Sequence, residues 1–207
     1  VRLFAGLDRS LDELRRARGR TATHLVVGDM ERAPFRAGIF NAAVSNCVLE
    51  HVERIETAFD ETARILAPGG VFLATVVTDR YEALLFWPRF FERIGLAGCG
   101  RRYLDFLRHR FQHCRYLAAG DWVGMARSAG FTAVETATYI GRWRQRLMDL
   151  FLPFMQAARL LRFVTGREVI PGLRPPAGPL VRWLQEDDVA ASTGDAANAL
   201  LVLRKNS

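Results

Sequence analysis

The stretch Leu25-Val-Val-Gly-Asp-Met-Glu-Arg-Ala-Pro-Phe35, followed by Phe40-Asn-Ala-Ala-Val-Ser-Asn-Cys-Val-Leu-Glu-His-Val52 and closing on Leu66-Ala-Pro-Gly-Gly70, decides the fold. Its first apolar run ends in Gly28-Asp29, which reads as a strand with a carboxylate at its carboxyl tip. Ala42 to Val48 is a second apolar run, bounded by Asn41 and Asn46. Ile55, Ala58, Phe59, Thr62 and Leu66 then recur at helical spacing. Pro68-Gly69-Gly70 predicts a helix stop and a turn into a further strand, Val71 to Val77. Strand, link, strand, helix, strand is the rhythm of a parallel α/β sheet. Ligands of such sheets sit outside the carboxyl ends of the strands, where Asp29 and Asn46 lie.

Working outward, Val1 to Leu7 is strand-like and delivers Asp8 to its end. Ser10 and Glu13 have the spacing of a capping box, and Leu11, Leu14 and Ala17 form a helix face. A carboxylate at Asp8 can accept hydrogen bonds from two ribose hydroxyls, or it can simply favour the helix N-terminus. Asp29 can accept from the amino edge of an adenine, or serve as a turn residue. Arg18 to Thr23 is a polar link.

The bulk properties set wider bounds. The 207 residues are 50% hydrophobic and 25% charged, an ordinary globular balance. The net charge is +7 and the pI about 10.1, carried almost wholly by arginine, with Lys205 the sole lysine. An arginine-biased genome accounts for that as well as phosphate binding does, so no nucleic-acid partner is expected. Cys47, Cys99 and Cys114 are scattered and make neither a disulfide framework nor a metal spacing, which suits a reducing cytoplasm. No uninterrupted apolar span reaches ~18 residues.

Four motifs occur in order: Leu7-Asp8-Arg9-Ser10; Val27-Gly28-Asp29-Met30 with Ala33-Pro34-Phe35; Val44-Ser45-Asn46-Cys47-Val48-Leu49-Glu50-His51-Val52; and Ile65-Leu66-Ala67-Pro68-Gly69-Gly70. Together they resemble class I S-adenosylmethionine-dependent methyltransferases, in the branch acting on small molecules, quinone precursors and lipids. The resemblance implies a Rossmann-like sheet, mostly parallel with an antiparallel last strand. It implies that Asp8 holds the ribose hydroxyls and Asp29 the adenine amino group, with Met30 beside the ring. Asn46 would lie near the methionine part of S-adenosyl-L-methionine, and Val48 to His51 along the border with the acceptor. Asn41 stands where the family usually has aspartate. The family's first strand and Gly-x-Gly-x-Gly loop have no counterpart in the sequence. The expectation is therefore a fragment, preceded in its parent by about 40 to 60 residues, whose own cofactor binding is impaired.

Beyond Val77 the candidates are sparser. Tyr81 and Tyr116 are candidates for acceptor binding. His51 and then His113 are candidates for a general base should the acceptor be a hydroxyl. Leu84 to Ile94 is rich in Phe and Trp and flanked by arginines. Asp121 to Gly130 reads as a helix, with strands expected at Ala133 to Ile140 and Asn198 to Leu203. The chain reads as one domain over 1–207 with a helical insertion at 141–194, where Leu147, Leu150, Phe151, Phe154, Ala158 and Leu161 form an apolar stripe. Pro153 should kink or restart that helix, and Pro171 to Pro179 reads as a stiff loop. The insertion fits a hydrophobic lid, a homodimer contact or a peripheral membrane contact. The expected activity is methyl transfer to a small, apolar, lipid-like acceptor, with no metal. A non-catalytic binding or membrane-associated protein and an NAD-dependent oxidoreductase are the alternatives; no Tyr-x-x-x-Lys pair supports the last.

Overall fold

The computed structural model of the chain describes residues 4–18, 24–112, 114–165 and 195–206, with the backbone alone over 155–165. In chain order the elements are β1 (Ala5–Asp8), α1 (Leu11–Ala17), β2 (His24–Val27), β3 (Phe40–Asn46), a 3₁₀ turn (Leu49–His51), α2 (Ile55–Ile65) and β4 (Leu66–Val77). There follow a second 3₁₀ turn (Glu82–Leu84), α3 (Phe86–Arg93), α4 (Ala97–Phe111), α5 (Ala119–Ser128), β5 (Phe131–Gly141), α6 (Arg142–Thr165) and β6 (Ala196–Lys205). His113, the loop 171–179 and most of the link 18–23 lie outside the described residues.

The strands form two sheets. One is the pair β1–β2; the other has the order β3-β4-β6-β5. β1 and β2 are parallel, with Asp8 opposite Val27, and β3 and β4 are parallel from Ala42 opposite Val71 to Asn46 opposite Thr75. β6 runs the other way. The Thr78 amide, just past the end of β4, donates to the carbonyl of Ala197 near the start of β6. Lys205, at the end of β6, donates to the carbonyl of Leu66 at the start of β4. The fold is thus an α/β sheet, mostly parallel, with an antiparallel last strand, as expected. β1 pairs only with β2, and β3 only with β4, so β1 and β3 do not pair with each other.

The chain divides into two compact units. The first holds Val1–Val76, Leu117–Thr136 and Leu200–Ser207; the second holds Val77–Tyr116 and Ala137–Ala199.

In the first unit α2 behaves as its periodicity dictates. Ile55, Ala58, Phe59, Thr62 and Ala63 are buried on one face, and Thr62 Oγ1 ties back to the carbonyl of Ala58 at 2.7 Å. Phe59, Phe72 and Phe131 meet with ring centroids 6.0–6.4 Å apart, and Trp122 of α5 is fully buried. The expected turn at Pro68-Gly69-Gly70 takes another form. β4 begins at Leu66, directly after α2, and Phe40 pairs with Leu66 before Ala42 pairs with Val71. The intervening residues bulge out of the ladder, with Gly69 at φ +72° supplying the left-handed step.

In the second unit α6 packs on α3, and α3 on α4. One residue fastens all three. Leu85, at the start of α3, offers no capping side chain. Asp149 of α6 does this instead: its Oδ2 accepts from the amides of Phe86 and Trp87 at 2.8 and 2.9 Å, and its Oδ1 from the hydroxyl of Tyr103 on α4. Pro153 neither stops nor restarts α6, which runs from Arg142 to Thr165. A proline at that position cannot donate to the carbonyl four residues back, which is that of Asp149. The Trp87 indole N–H donates to that carbonyl at 3.1 Å, so the orphaned acceptor is satisfied from α3.

This predicts an energetic link between Trp87 and Pro153. Trp87→Phe should cost about 1–3 kcal/mol, and less in a Pro153→Ala background, where the helix supplies the donor itself. Urea unfolding of the four proteins in the cycle measures the coupling; strictly additive losses would show that the indole bond does not compensate the proline.

Candidate functional site

The candidate cofactor residues lie in the first unit. Asp8 ends β1 and Asp29 stands two residues beyond β2, so the parallel pairing brings both carboxylates to the same end of one small sheet. Gly28 permits this approach. Its amide donates to the carbonyl of Asp8 at 3.0 Å, and a Cβ on it would stand 2.8 Å from Leu7 Cδ1 and 3.2 Å from Pro34.

Each carboxylate is partly engaged. Asp8 is exposed, and its Oδ1 accepts from the Ser10 amide at 2.7 Å. Ser10 caps α1 by accepting from the Glu13 amide at 3.3 Å. Only half of the expected capping box forms, because the donor that Glu13 would reach is taken by Asp8, and Glu13 pairs with Arg16. Asp29 Oδ1 accepts from the Glu31 amide at 2.9 Å, and Oδ2 pairs with Arg9 at 2.7 Å. The Arg9 side chain is 69% exposed, so that pair is solvent-screened and cheap to break. Met30 is half-buried beside Asp29.

Asn46 ends β3, in the other sheet. Its Oδ1 accepts from Thr75 Oγ1 at 2.6 Å, and Thr75 Oγ1 in turn accepts from the Cys47 amide at 3.0 Å. Cys47 adopts φ +50° and turns the chain out of the strand into the 3₁₀ turn, where His51 is exposed. Tyr81 and Tyr116 belong to the second unit. Their rings stack with centroids 5.8 Å apart and planes 9° from parallel. Burial, then the nearby Asp149 charge, pushes the Tyr81 hydroxyl up to about 12, and burial raises Tyr116 as well. Neither is a ready proton acceptor; they form an apolar platform. Beside them Glu82 and Arg108 pair through two hydrogen bonds of 2.6–2.7 Å. Among the described residues no group of His, Cys, Asp and Glu is placed to hold a metal ion.

Sequence reasoning missed two carboxylates. Asp149 sits in an apolar, arginine-rich stretch, where a lone acid was itself a signal. Glu50 lay inside a quoted motif. It is completely buried, and neither of its oxygens has a hydrogen-bond partner of normal geometry among the described residues. Burial raises its pKa, opposed less strongly by its own backbone amide, His51 and the Cys47 thiol. The buried group therefore favours its proton-bearing form.

A folded-state pKa above the ordinary 4.5 means that the native protein holds a proton the unfolded chain releases. That stabilisation is complete below the unfolded value and is lost as pH rises through the folded one. Glu50→Gln needs no proton. Its stability relative to the parent should therefore grow as pH increases above 4.5, measured by urea unfolding across the acid-to-neutral range. A difference that stays flat or shrinks would show that Glu50 is not held protonated.

Residues 2–74 match the methyltransferase domain family. Over 72 residues the chain is 36% identical to the malonyl-[acyl-carrier protein] O-methyltransferase of Salmonella typhimurium, a match covering 34% of this chain and 29% of that protein. The whole fold is similar to the [4+2]-cyclase SpnF, with a TM-score of 0.59 at 18% identity, covering 99% of this chain and 66% of that one. It is also similar to geranyl diphosphate C-methyltransferase from Streptomyces coelicolor, solved with Mg2+, geranyl diphosphate and S-adenosyl-L-homocysteine. There the TM-score is 0.52 at 14% identity, with coverage of 98% and 62%. The chain thus spans under a third of the matched methyltransferase and just under two thirds of the cyclase.

Proposed function

We propose that the chain belongs to an S-adenosylmethionine-dependent methyltransferase acting on a small, apolar acceptor. The observation carrying this reading is the pair of carboxylates, Asp8 and Asp29, at the tips of adjacent parallel strands inside the segment matching the methyltransferase domain family. The donor set suits an adenosine. Asp8 accepts from the ribose hydroxyls with the oxygen that Ser10 leaves, and Asp29 accepts from the adenine amino group once exposed Arg9 swings away. Met30 packs against the ring. Asn46, held by Thr75, faces the methionine end.

The bound cofactor supplies a methyl group already activated on a sulfonium. The protein's task is to hold donor and acceptor in line and to exclude water. With a hydroxyl acceptor, His51 takes the proton as the new bond forms, and His113 is the second candidate. With a carbon acceptor no such base is needed. Tyr81 and Tyr116 offer a flat apolar surface for the acceptor. A small, apolar and lipid-like acceptor suits the aromatic composition of 77–116, and S-adenosylhomocysteine and geranyl diphosphate occupy the similar methyltransferase named above.

Titration with S-adenosylhomocysteine, followed by amide shifts, should perturb Asp8, Asp29 and Met30 together. Binding should be weak, because the sequence carries no Gly-x-Gly-x-Gly loop to receive the amino-acid end. Asp8→Ala should weaken it by about 1.5–3 kcal/mol, the scale of hydrogen bonds to a charged group. Shifts with NAD and none with S-adenosylhomocysteine would overturn the assignment.

A further inference from the structure

Helix α6 is built inside out. Gln145 and Asp149, spaced i and i+4, face inward and are 4% and 3% exposed. Trp143, Leu147, Phe151 and Phe154 recur at i, i+4, i+8 and i+11 on the opposite side. Trp143 is 74% and Phe154 64% exposed, and Met148 adds to the outward face. The exposed residues of this apolar face therefore point away from the elements that α6 packs against. The cause lies in Asp149. Its bonds to the Phe86 and Trp87 amides and to Tyr103 fix the polar face against α3 and α4, and the apolar face is left outside.

Positive charge collects around this helix. The second unit contains 16 of the 29 basic residues and 10 of the 22 acidic ones, so it holds +6 of the chain's +7. Arg146 is held below its ordinary pKa first by burial and then by repulsion from Arg89, Arg142 and Arg93, opposed by Asp195, which places three further guanidinium groups within electrostatic reach of Arg146. The acids nearby cancel them only in part, through the Asp195–Arg142 pair. Asp195 pairs with Arg80 and Arg142, Asp105 lies beside Arg108, and Asp149 is buried against α3, leaving Glu92 as the other acid on that helix. Phe90 and Ile94 of the α3 end are also exposed.

We propose that the outward face of α6, with the arginines of α3 and the start of α6, docks on an anionic lipid surface. Exposed aromatic and aliphatic side chains flanked by arginines insert at the headgroup boundary while the guanidinium groups meet the phosphates. Charge complementarity selects this occupant over a second copy of the chain. A two-fold contact would set the same face against itself and bring the four arginines toward four identical ones. No described helix is long and apolar enough to cross a membrane, so the contact is peripheral. This inference does not depend on the methyl-transfer reading.

Flotation of the full chain with vesicles tests it. Vesicles of phosphatidylcholine containing about 30% phosphatidylglycerol should carry the protein, and pure phosphatidylcholine should not. Raising salt from about 0.05 to about 0.5 M should release it. Trp143 emission, taken as the difference from Trp143→Phe, should shift to the blue and be quenched by brominated lipid. Arg89→Glu with Arg93→Glu should lower partitioning by at least about tenfold. If that variant does not fold, the salt dependence and Trp143 emission of the unaltered chain decide. Equal binding to neutral vesicles would overturn the proposal. So would no vesicle binding together with a concentration-dependent dimer that Trp143→Ala abolishes, which would make the face a contact between copies.

Discussion

Parallel pairing of β1 with β2 is the constraint on which the candidate site depends. The register sets Asp8 opposite Val27, and the Gly28 amide continues the ladder by donating to the Asp8 carbonyl. Two carboxylates twenty-one residues apart in sequence are thereby delivered to one end of one sheet. A side chain at position 28 would press on Leu7 Cδ1 and Pro34, which stand 2.8 and 3.2 Å from where its Cβ would lie. Each carboxylate is also steadied locally, Asp8 by the Ser10 amide and Asp29 by the Glu31 amide. Such bonds orient an acceptor oxygen without consuming the whole group.

The neighbouring tip works differently. Asn46 and Cys47 are organised by Thr75 across the parallel pair β3–β4, through bonds of 2.6–3.0 Å. Directly beyond, the chain turns so tightly that Glu50 is carried into the interior, where desolvation favours its neutral form. Exposed His51 and buried Glu50 are adjacent in sequence and opposite in environment. A motif that reads as one block therefore splits into an exposed group and an interior one whose carboxyl is pushed above its ordinary value by burial.

In the second unit a single acid organises three helices. Asp149 caps α3 with its side chain, engages Tyr103, and gives its carbonyl to Trp87 because Pro153 cannot use it. The same attachment turns the apolar stripe outward. Hydrophobic burial is large but non-directional, whereas a buried carboxylate must find donors at particular places. Here the directional requirement selects which face of the helix is covered.

Much of this was legible from the residues. The periodicity of α2, the apolar runs of β2 and β3, the acidic residues at the strand tips and the Trp122-to-Phe131 unit all follow local rules, because side-chain spacing and strand ends are properties of short segments. Other features were not. The start of β4 at Leu66 depends on how Phe40 pairs, the Arg9–Asp29 bond joins residues that only the β1–β2 pairing brings near, and the helix through Pro153 depends on a donor from α3. By itself the amino-acid order determined the alternation of strand and helix and put acids at the strand tips. Tertiary structure alone decided which partner each acid meets, that Glu50 is buried and Asp8 exposed, and which side of α6 faces out, because long-range hydrogen bonds and desolvation act between segments whose proximity no local pattern encodes.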